Sequence, residues 1–158
     1  MRLALYQPDI PQNMGTLLRL GACLNVSIDV IGPTGFDMSD RALKRSAMDY
    51  LSKTDLTRHL SFAQFLDSNQ RNQGRLILTT TKTDQIYTDF EFKETDILLL
   101  GRESAGVPEE VADLADEKIT IPMQNDMRSL NIAVAGAMIL GEALRQTTGF
   151  KATAFKNQ

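Results

Sequence analysis

Short apolar strands that alternate with helical segments constrain the fold of this chain more than any other feature. The runs around Leu3 to Leu5, Ser27 to Ile31 and Ile97 to Leu100 have the length and aliphatic character of buried strands. A helical periodicity follows the first run, from about Met14 to Leu24. This alternation predicts an α/β fold with a mostly parallel sheet and helices on both faces.

Other segments continue the alternation along a single domain, which we expect to span residues 1–150. Ser39 and Asp40 are suited to capping a helix, and Pro108 suits the first turn of another. The last eight residues, 151–158, are expected to fray. Further strands are predicted at 75–81 and 119–121, and further helices at 61–68 and from about 130 to 146.

Composition narrows the class of protein. With 158 residues, 42% of them hydrophobic, the chain has enough apolar material for one core. We expect a cytoplasmic protein without a membrane span, because no apolar run approaches the roughly 20 residues needed and no basic leader precedes the first strand. The net charge of −3 argues against a protein coated in basic charge, but RNA binding depends on the local distribution.

The single cysteine and the single histidine give no metal signature. Cys23 has no partner for an intrachain disulfide, and its apolar surroundings predict a buried, inert thiol. His59 lacks a second ligand at metal spacing, so we expect it at the surface or facing RNA. No metal site is expected.

Several common nucleotide-binding and hydrolytic classes do not fit the chain. The segment after the first strand, QPDIPQN, contains no glycine, which disfavours a Rossmann dinucleotide site. Gly101 and Gly106 have P-loop spacing, yet Val107 and Pro108 replace the lysine and the hydroxyl residue that grip phosphate. No G-x-S-x-G elbow or cysteine–histidine pair supports a hydrolase.

Three segments place polar or glycine-rich bends at the carboxyl ends of apolar runs, where ligands bind in open α/β sheets. Motif one, residues 11–25, contains Asn13, Gly15 and Arg19. Motif two, residues 98–108, contains Gly101, Glu103, Gly106 and Pro108. Motif three, residues 121–146, contains Ile121-Pro122-Met123 and Ser129-Leu130-Asn131 ahead of a long apolar segment.

Together and in this order, the three motifs resemble those of the SpoU branch of the SPOUT RNA methyltransferases, over about residues 1 to 150. The opening LALYQPDIPQNMG and the stretch GPTGFDMSDRALKRSAMDY are similar to a small subfamily within that branch. Its members methylate the ribose 2′-hydroxyl of the wobble nucleotide, a cytidine or carboxymethylaminomethyluridine, of certain leucine tRNAs. The resemblance implies a deep trefoil knot in the C-terminal part and S-adenosyl-L-methionine as methyl donor.

The resemblance also implies the cofactor-binding residues, which are Leu78, Gly101, Ile121, Ser129 and Leu130. The two glycines of motif two have two interpretations on their own chemistry. Gly101 and Gly106 either let backbone approach a ligand or serve a tight turn, since both need a residue without Cβ.

For catalysis, the resemblance assigns activation of the hydroxyl to Arg19. Because a guanidinium holds its proton tightly, an arginine is a poor base, and we expect Arg19 to act by electrostatics and by steering a phosphate, with direct proton abstraction as the alternative. Asn13 is expected to cap the helix of motif one and hold that corner. Glu103 is expected to orient Arg19 or the backbone of motif three, or to form a structural ion pair.

Arg41, Lys44 and Arg45 are spaced to share one helix face, which suits either tracking of RNA phosphates or plain solvation. Arg128 is a further candidate for RNA contact. The resemblance implies a homodimer through the last helix with the site shared between subunits, and residues 132–144 are apolar nearly all round.

The motifs depart from the family pattern in places. Family members often show P-E-T-R-G where residues 102–106 read RESAG, and many carry Ser-Asn at Ala133 and Val134 and Tyr at Gly141. Two alternatives therefore stay open: methylation of another RNA such as ribosomal RNA, and a non-catalytic RNA-binding dimer.

Overall fold

A computed structural model describes residues 1–38, 48–68 and 70–147. These residues form a six-stranded sheet in the order β3-β2-β1-β5-β4-β6, in which every neighbouring pair is parallel. This confirms the predicted α/β class with a parallel sheet. The strands are β1 Arg2–Tyr6, β2 Ser27–Ile31, β3 Leu56–His59, β4 Leu76–Thr79, β5 Ile97–Leu100 and β6 Glu117–Ile119.

Four α-helices are present in the described part of the chain, with three short 3₁₀ turns at 48–53, 71–73 and 87–89. The helices are α1 Pro11–Leu24, α2 Phe62–Leu66, α3 Glu109–Ala112 and α4 Ile132–Gln146. The predicted basic helix around residues 41–45 and the tail 151–158 lie outside the described residues. No helix in the described ranges is long and apolar enough to cross a membrane.

The sequence predicted the presence of most helices and strands correctly, but it placed several of their first or last residues wrongly. Helix α1 begins at Pro11 rather than Met14, because proline is well suited to the first helical position. Strand β6 ends at Ile119, so Ile121 lies beyond it rather than inside it. Strand β3 was missed, because its sequence LTRH carries too little apolar character to stand out.

The sheet is covered on both faces, and alternation along β5 shows how. Leu98 and Leu100 point to the core formed with α1 and α4. Ile97 and Leu99 point to the opposite core, which includes Phe65 of α2 and Val111 of α3. Side chains of a strand alternate between faces, so a strand covered on both sides must be apolar throughout.

Helix α4 packs closely against α1 and β5 at Gly136. A Cβ atom there would lie 2.8 Å from Leu100 Cδ1 and 3.0 Å from Leu17 Cδ2. Both distances are too short for carbon–carbon contacts, so a side chain at this position would force the Leu100 and Leu17 side chains to move. The close packing fixes the beginning of α4 over the carboxyl end of β5.

One polar group is fully buried within the sheet. The carboxylate of Asp29 on β2 accepts a hydrogen bond from Arg2 Nε at 2.6 Å, and its other oxygen lies 2.8 Å from His59 Nε2. The His59 ring also meets Phe65 edge-on at 5.3 Å. We call Arg2, Asp29 and His59 the strand cluster.

Two predictions about single residues were wrong. His59 was expected at the surface, but β3 pairs with β2 and carries the ring under α2, where it is buried. Cys23 was expected to be buried, but it is exposed on α1 because it lies off the helix face that packs against the sheet.

Candidate active site

The candidate site lies where the strand order reverses. From β1 the chain continues outward to β2 and β3, whereas β5, β4 and β6 lie on the other side of β1. At such a switch point the loops leaving two adjacent strands diverge, and a crevice opens at their carboxyl ends. Motif one follows β1 and motif two follows β5, so the two motifs meet at this crevice.

Motif two forms a closed turn directly after β5. The backbone N–H of Arg102 donates to the carbonyl of Gly106 at 2.8 Å, and the N–H of Gly106 donates back to Arg102 at 2.9 Å. Gly106 has a φ of 67°, a left-handed conformation that favours glycine. A Cβ atom at Gly101 would lie 2.7 Å from the Gly106 backbone. The turn itself therefore requires both glycines.

A chain of hydrogen bonds joins all three motifs. Asn13 Nδ2 donates to Glu103 Oε1 at 3.1 Å, which connects motif one to motif two. Asn131 Nδ2 donates to Asn13 Oδ1 at 2.9 Å, which connects motif three to motif one. Asn13 is 8% exposed, so these bonds form largely away from solvent.

Asp9 fastens the same corner from the loop after β1. Its backbone N–H donates to Glu103 Oε2 at 2.8 Å. Its carboxylate accepts from Arg102 Nη2 at 2.9 Å and from both the backbone N–H and the hydroxyl of Ser104. These bonds, those of Ser104 foremost, hold the pKa of Asp9 below its usual value.

Asp9 was missed by sequence reasoning, and its only signal is its place in the polar bend after β1. Its partners Arg102 and Ser104 lie at two positions where motif two departs from the family pattern. Arg102 thus supplies a donor that a proline would lack, whereas Ser104 keeps the hydroxyl and backbone N–H that a threonine would also offer. We call this group the corner cluster; its members are Asp9, Asn13, Arg102, Glu103, Ser104 and Asn131.

Asn131 has a second role at the start of α4. Its Oδ1 accepts from the backbone N–H groups of Ala133 at 2.9 Å and Val134 at 3.3 Å, which is N-capping. The sequence predicted that Asn13 would cap α1, and this prediction was wrong. The N-cap of α1 is Ile10, because the helix begins at Pro11 and Asn13 falls inside its first turn. The side chain of Asn13 is therefore free for Glu103.

A cavity of about 720 Å³ opens beside the corner cluster. Asn13, Glu103 and Asn131 form part of its wall. All five predicted cofactor-binding residues also line it, namely Leu78, Gly101, Ile121, Ser129 and Leu130. Its volume lies within the range of small-molecule sites, roughly 300–1,000 Å³.

The residues of the cavity fit S-adenosyl-L-methionine. Leu78, Ile121 and Leu130 offer apolar wall for a nucleobase. Thr79 offers a buried hydroxyl that has no hydrogen-bond partner among the described residues. A buried polar atom without a partner is costly, and a polar ligand in the cavity would satisfy it.

Arg19 does not line this cavity. It is exposed, and its guanidinium Cζ lies 4.8 Å from the centre of the Tyr50 ring. Arg19 follows Asn13 by six positions, which places the two side chains ~120° apart around the helix axis. Glu103 therefore orients Asn13 and the Asp9 backbone rather than Arg19, and it contacts motif three only through Asn13.

The predicted RNA-binding residues lie apart from the cavity lining. Arg128 is exposed next to Ser129 and does not line the cavity. Arg41, Lys44 and Arg45 lie outside the described residues. Within the described ranges, no group of three or more histidine, cysteine or acidic side chains is arranged to hold a metal.

Comparison with known proteins gives the family. The SpoU rRNA Methylase family matches residues 1–141. This chain belongs to the SpoU methylase family. A relative in Beijerinckia indica, a tRNA (cytidine(34)-2'-O)-methyltransferase, is 58% identical over 144 residues, or 91% of this chain and 90% of the relative. The resemblance predicted from the three motifs is thereby confirmed, and the chain is a methyltransferase.

Solved structures agree with this assignment. One, from work on the 2-OH methylation of C/U34 on tRNA, has a TM-score of 0.85 and 41% identity, covering 92% of this chain and 94% of its own. The SpoU methyltransferase AviRb from Streptomyces viridochromogenes, solved with the cofactor AdoMet, has a TM-score of 0.82 and 28% identity, covering 92% of this chain and 60% of its own. Both structures share the α/β fold of this chain.

Proposed function

We propose that this SpoU methylase transfers a methyl group from S-adenosyl-L-methionine to the ribose 2′-hydroxyl of the wobble nucleotide, cytidine or carboxymethylaminomethyluridine, of leucine tRNAs. The observation that carries the proposal is the corner cluster, which joins the three family motifs beside a cavity lined by all five predicted cofactor-binding residues. The relative from Beijerinckia indica and the structure related to C/U34 methylation support tRNA as substrate.

The cavity is where we place the methyl donor, which supplies an electrophilic methyl group for the 2′-oxygen. The motif-two turn and the start of α4 both line the cavity, and the hydrogen bonds of the corner cluster connect them through Asn13. Small displacements of reacting groups cost large factors in rate, so a wall fixed by hydrogen bonds matters for the transfer. Asn13 and Glu103 act in this scheme by positioning.

Arg19 acts on the nucleotide in this proposal. Its guanidinium stays charged at neutral pH, so it favours ionisation of the 2′-hydroxyl and stabilises the negative charge that develops on the oxygen. The hydroxyl proton leaves to solvent. Arg19 and the exposed Arg128 also supply positive charge for the phosphates on either side of the nucleotide.

We further propose a homodimer in which each site is shared. The outer side of α4 exposes Val134 (50%) and Met138 (39%), an apolar stripe that a second copy would cover. Arg19 points away from the cavity of its own subunit. In a shared site, Arg19 would instead reach the cavity of the second copy. We also propose a cytoplasmic location, where tRNA is modified, and a trefoil knot.

Two hydrogen bonds at the end of α4 support the proposed knot. Gln146 Nε2 donates to the carbonyl of Phe90 at 3.0 Å, and its Oε1 accepts from the N–H of Phe92 at 3.0 Å. The helix end is thus bound to the connection between β4 and β5, the segment that a threaded C-terminal part would pass.

The test of the activity is methyl transfer to RNA. Purified protein is incubated with methyl-labelled S-adenosyl-L-methionine and either unmethylated bulk tRNA or ribosomal RNA, and the product is mapped by digestion and mass spectrometry. We expect a 2′-O-methyl group at position 34 of leucine tRNAs, lost in Arg19→Ala. Lys93→Ala is the matched control, because it removes an exposed cation near the amino-terminal end of β5. Label only in ribosomal RNA, or RNA binding without transfer, would contradict the proposal.

The shared site is tested by mixing two inactive variants. Arg19→Ala leaves the cavity intact, and Gly101→Ala disrupts the motif-two turn by placing a Cβ atom 2.7 Å from the Gly106 backbone. After the subunits are co-refolded, a mixed dimer has one site with an intact cavity and an intact Arg19 only if the two come from different subunits. We expect the mixed dimer to recover methyl-transfer activity. A mixed dimer without activity would show that each site uses the Arg19 of its own subunit.

A further inference from the structure

Arg19 has an unusual partner for a cation at a proposed active site. Its guanidinium lies over the ring of Tyr50 with Cζ 4.8 Å from the ring centre, within the roughly 6 Å of a cation–π contact. Among the described residues no carboxylate forms a salt bridge with Arg19. Among the described residues, the ring of Tyr50 is therefore the contact that holds this side chain.

An aromatic partner leaves the arginine chemically available. The ring contacts the flat face of the guanidinium, whereas the five N–H donors point outward around its edge. A carboxylate in the same place would occupy two of those donors and offset the charge. A stacked guanidinium is held in one plane and can still donate to a substrate oxygen or a phosphate.

The ring itself is anchored next to Arg19. Tyr50 is half-buried and belongs to the 3₁₀ turn at 48–53. The Thr54 hydroxyl lies 3.1 Å from the carbonyl of Leu18 and 2.8 Å from the carbonyl of Tyr50. This bridge attaches the turn to α1 one residue before Arg19, so ring and guanidinium belong to one local unit.

We propose that Tyr50 is the positioning residue of Arg19, holding the guanidinium flat and unneutralised for the substrate. The inference rests on the proposed function, in which Arg19 acts on the nucleotide. Tyr50 itself touches neither cofactor nor reacting atoms in this scheme. Its effect on the reaction passes entirely through Arg19.

A double-mutant cycle tests this dependence. Tyr50→Leu removes the ring face and is expected to lower kcat/KM by about two- to fivefold, the strength of an exposed cation–π contact. Tyr50→Phe keeps the face and is expected to restore the wild-type value. In an Arg19→Ala background, Tyr50→Leu should have no further effect, because the group through which it acts is gone.

The cycle is measured in two ways so that an inactive Arg19 variant still gives a number. Single-turnover methyl transfer is followed with enzyme in excess, and tRNA affinity is measured in parallel. Tyr87→Leu is the matched control: Tyr87 is half-buried in another 3₁₀ turn, packs beside the core and does not line the cavity. Its effects should add to those of Arg19→Ala.

Each outcome separates the inference from the proposed function. An undiminished effect of Tyr50→Leu in the Arg19→Ala background would overturn the inference, since Tyr50 would then act through packing alone. Failure of Tyr50→Phe to restore the rate would overturn it as well. If wild-type protein transfers no methyl group, the proposed function fails, and the affinity cycle alone decides whether Tyr50 acts through Arg19.

Discussion

The strand cluster and the corner cluster use similar chemistry in different settings. In both, a carboxylate accepts hydrogen bonds from residues far away in the chain: Asp29 from Arg2, and Glu103 from Asn13 and the backbone of Asp9. Asp29 is completely buried between neighbouring strands. Glu103 lies in a turn that borders the cavity. The partners of Asp29 are a guanidinium and an imidazole, whereas those of Glu103 are an amide and a backbone N–H, and the surroundings of the two carboxylates differ as well.

This difference separates stability from function. Both oxygens of Asp29 are used by neighbouring strands, and Asp29 does not line the cavity, so the strand cluster secures β1, β2 and β3. The corner cluster instead joins three loops, whose backbone would otherwise be the mobile part of such a fold. The role of a buried carboxylate in this protein therefore depends on whether it lies between strands or beside the cavity, and not on its residue type.

The largest expected effect comes from breaking the strand cluster. Asp29→Asn removes the charge that compensates Arg2, which is 15% exposed, and leaves a buried mismatch beside His59. Losing one partner of a buried pair costs about 3–5 kcal/mol of unfolding free energy. Urea denaturation followed by circular dichroism measures the loss. The folded fraction should keep its wild-type kcat/KM.

An effect of Asp29→Asn on activity instead of stability would contradict the distinction between the two clusters. If Asp29→Asn lowered kcat/KM of the folded protein while leaving the unfolding free energy unchanged, the strand cluster would belong to the site. Arg58→Lys on β3 is a mild control, because Arg58 is exposed and its side chain leaves the strand on the face opposite to Thr57 and His59, which border Asp29.

Helices and strands could be predicted from the sequence where the hydrophobic pattern is strong. Residues of the candidate site could be predicted only where they belong to one of the three motifs. Strands β2 and β5 match their predicted bounds because their runs are purely aliphatic or β-branched. Asp29 and His59 could not be paired from sequence, because their contact depends on the register of β2 with β3. Arg19 was assigned to a site by resemblance, but its direction depends on where α1 begins, which was misplaced by one turn.

A smaller effect separates the two roles of Asn131. Asn131→Ala removes both the cap of α4 and the bond to Asn13, whereas Asn131→Ser keeps a capping oxygen but loses the amide donor. We expect about 1 kcal/mol of unfolding free energy to be lost in the alanine variant and little in the serine variant. Methyl transfer should fall in both. Equal activity of Asn131→Ser and wild type would mean that the bond to Asn13 has no role in the reaction.

The smallest expected effect is a dependence of stability on acid. Hydrogen bonds from Ser104 and Arg102 keep the pKa of Asp9 below 3.8, its ordinary value, in the folded protein. A lowered folded pKa contributes stability above the unfolded pKa, and this contribution is lost as the pH falls through the folded value. Urea midpoints from about pH 5 downward should therefore fall more steeply in wild type than in Asp9→Asn. Parallel curves would show that the Asp9 contacts do not persist in solution.

The most direct test of the contrast between the clusters is the affinity for S-adenosyl-L-methionine. Isothermal titration calorimetry compares wild type, Glu103→Gln and Asp29→Asn at a temperature where all three are folded. An amide at position 103 turns one acceptor into a donor, so one of the bonds to Asn13 or Asp9 is lost and affinity should fall about tenfold. Asp29→Asn should bind as wild type does. Equal affinities in all three, or no binding by wild type, would contradict the claim that the corner cluster forms the cofactor site.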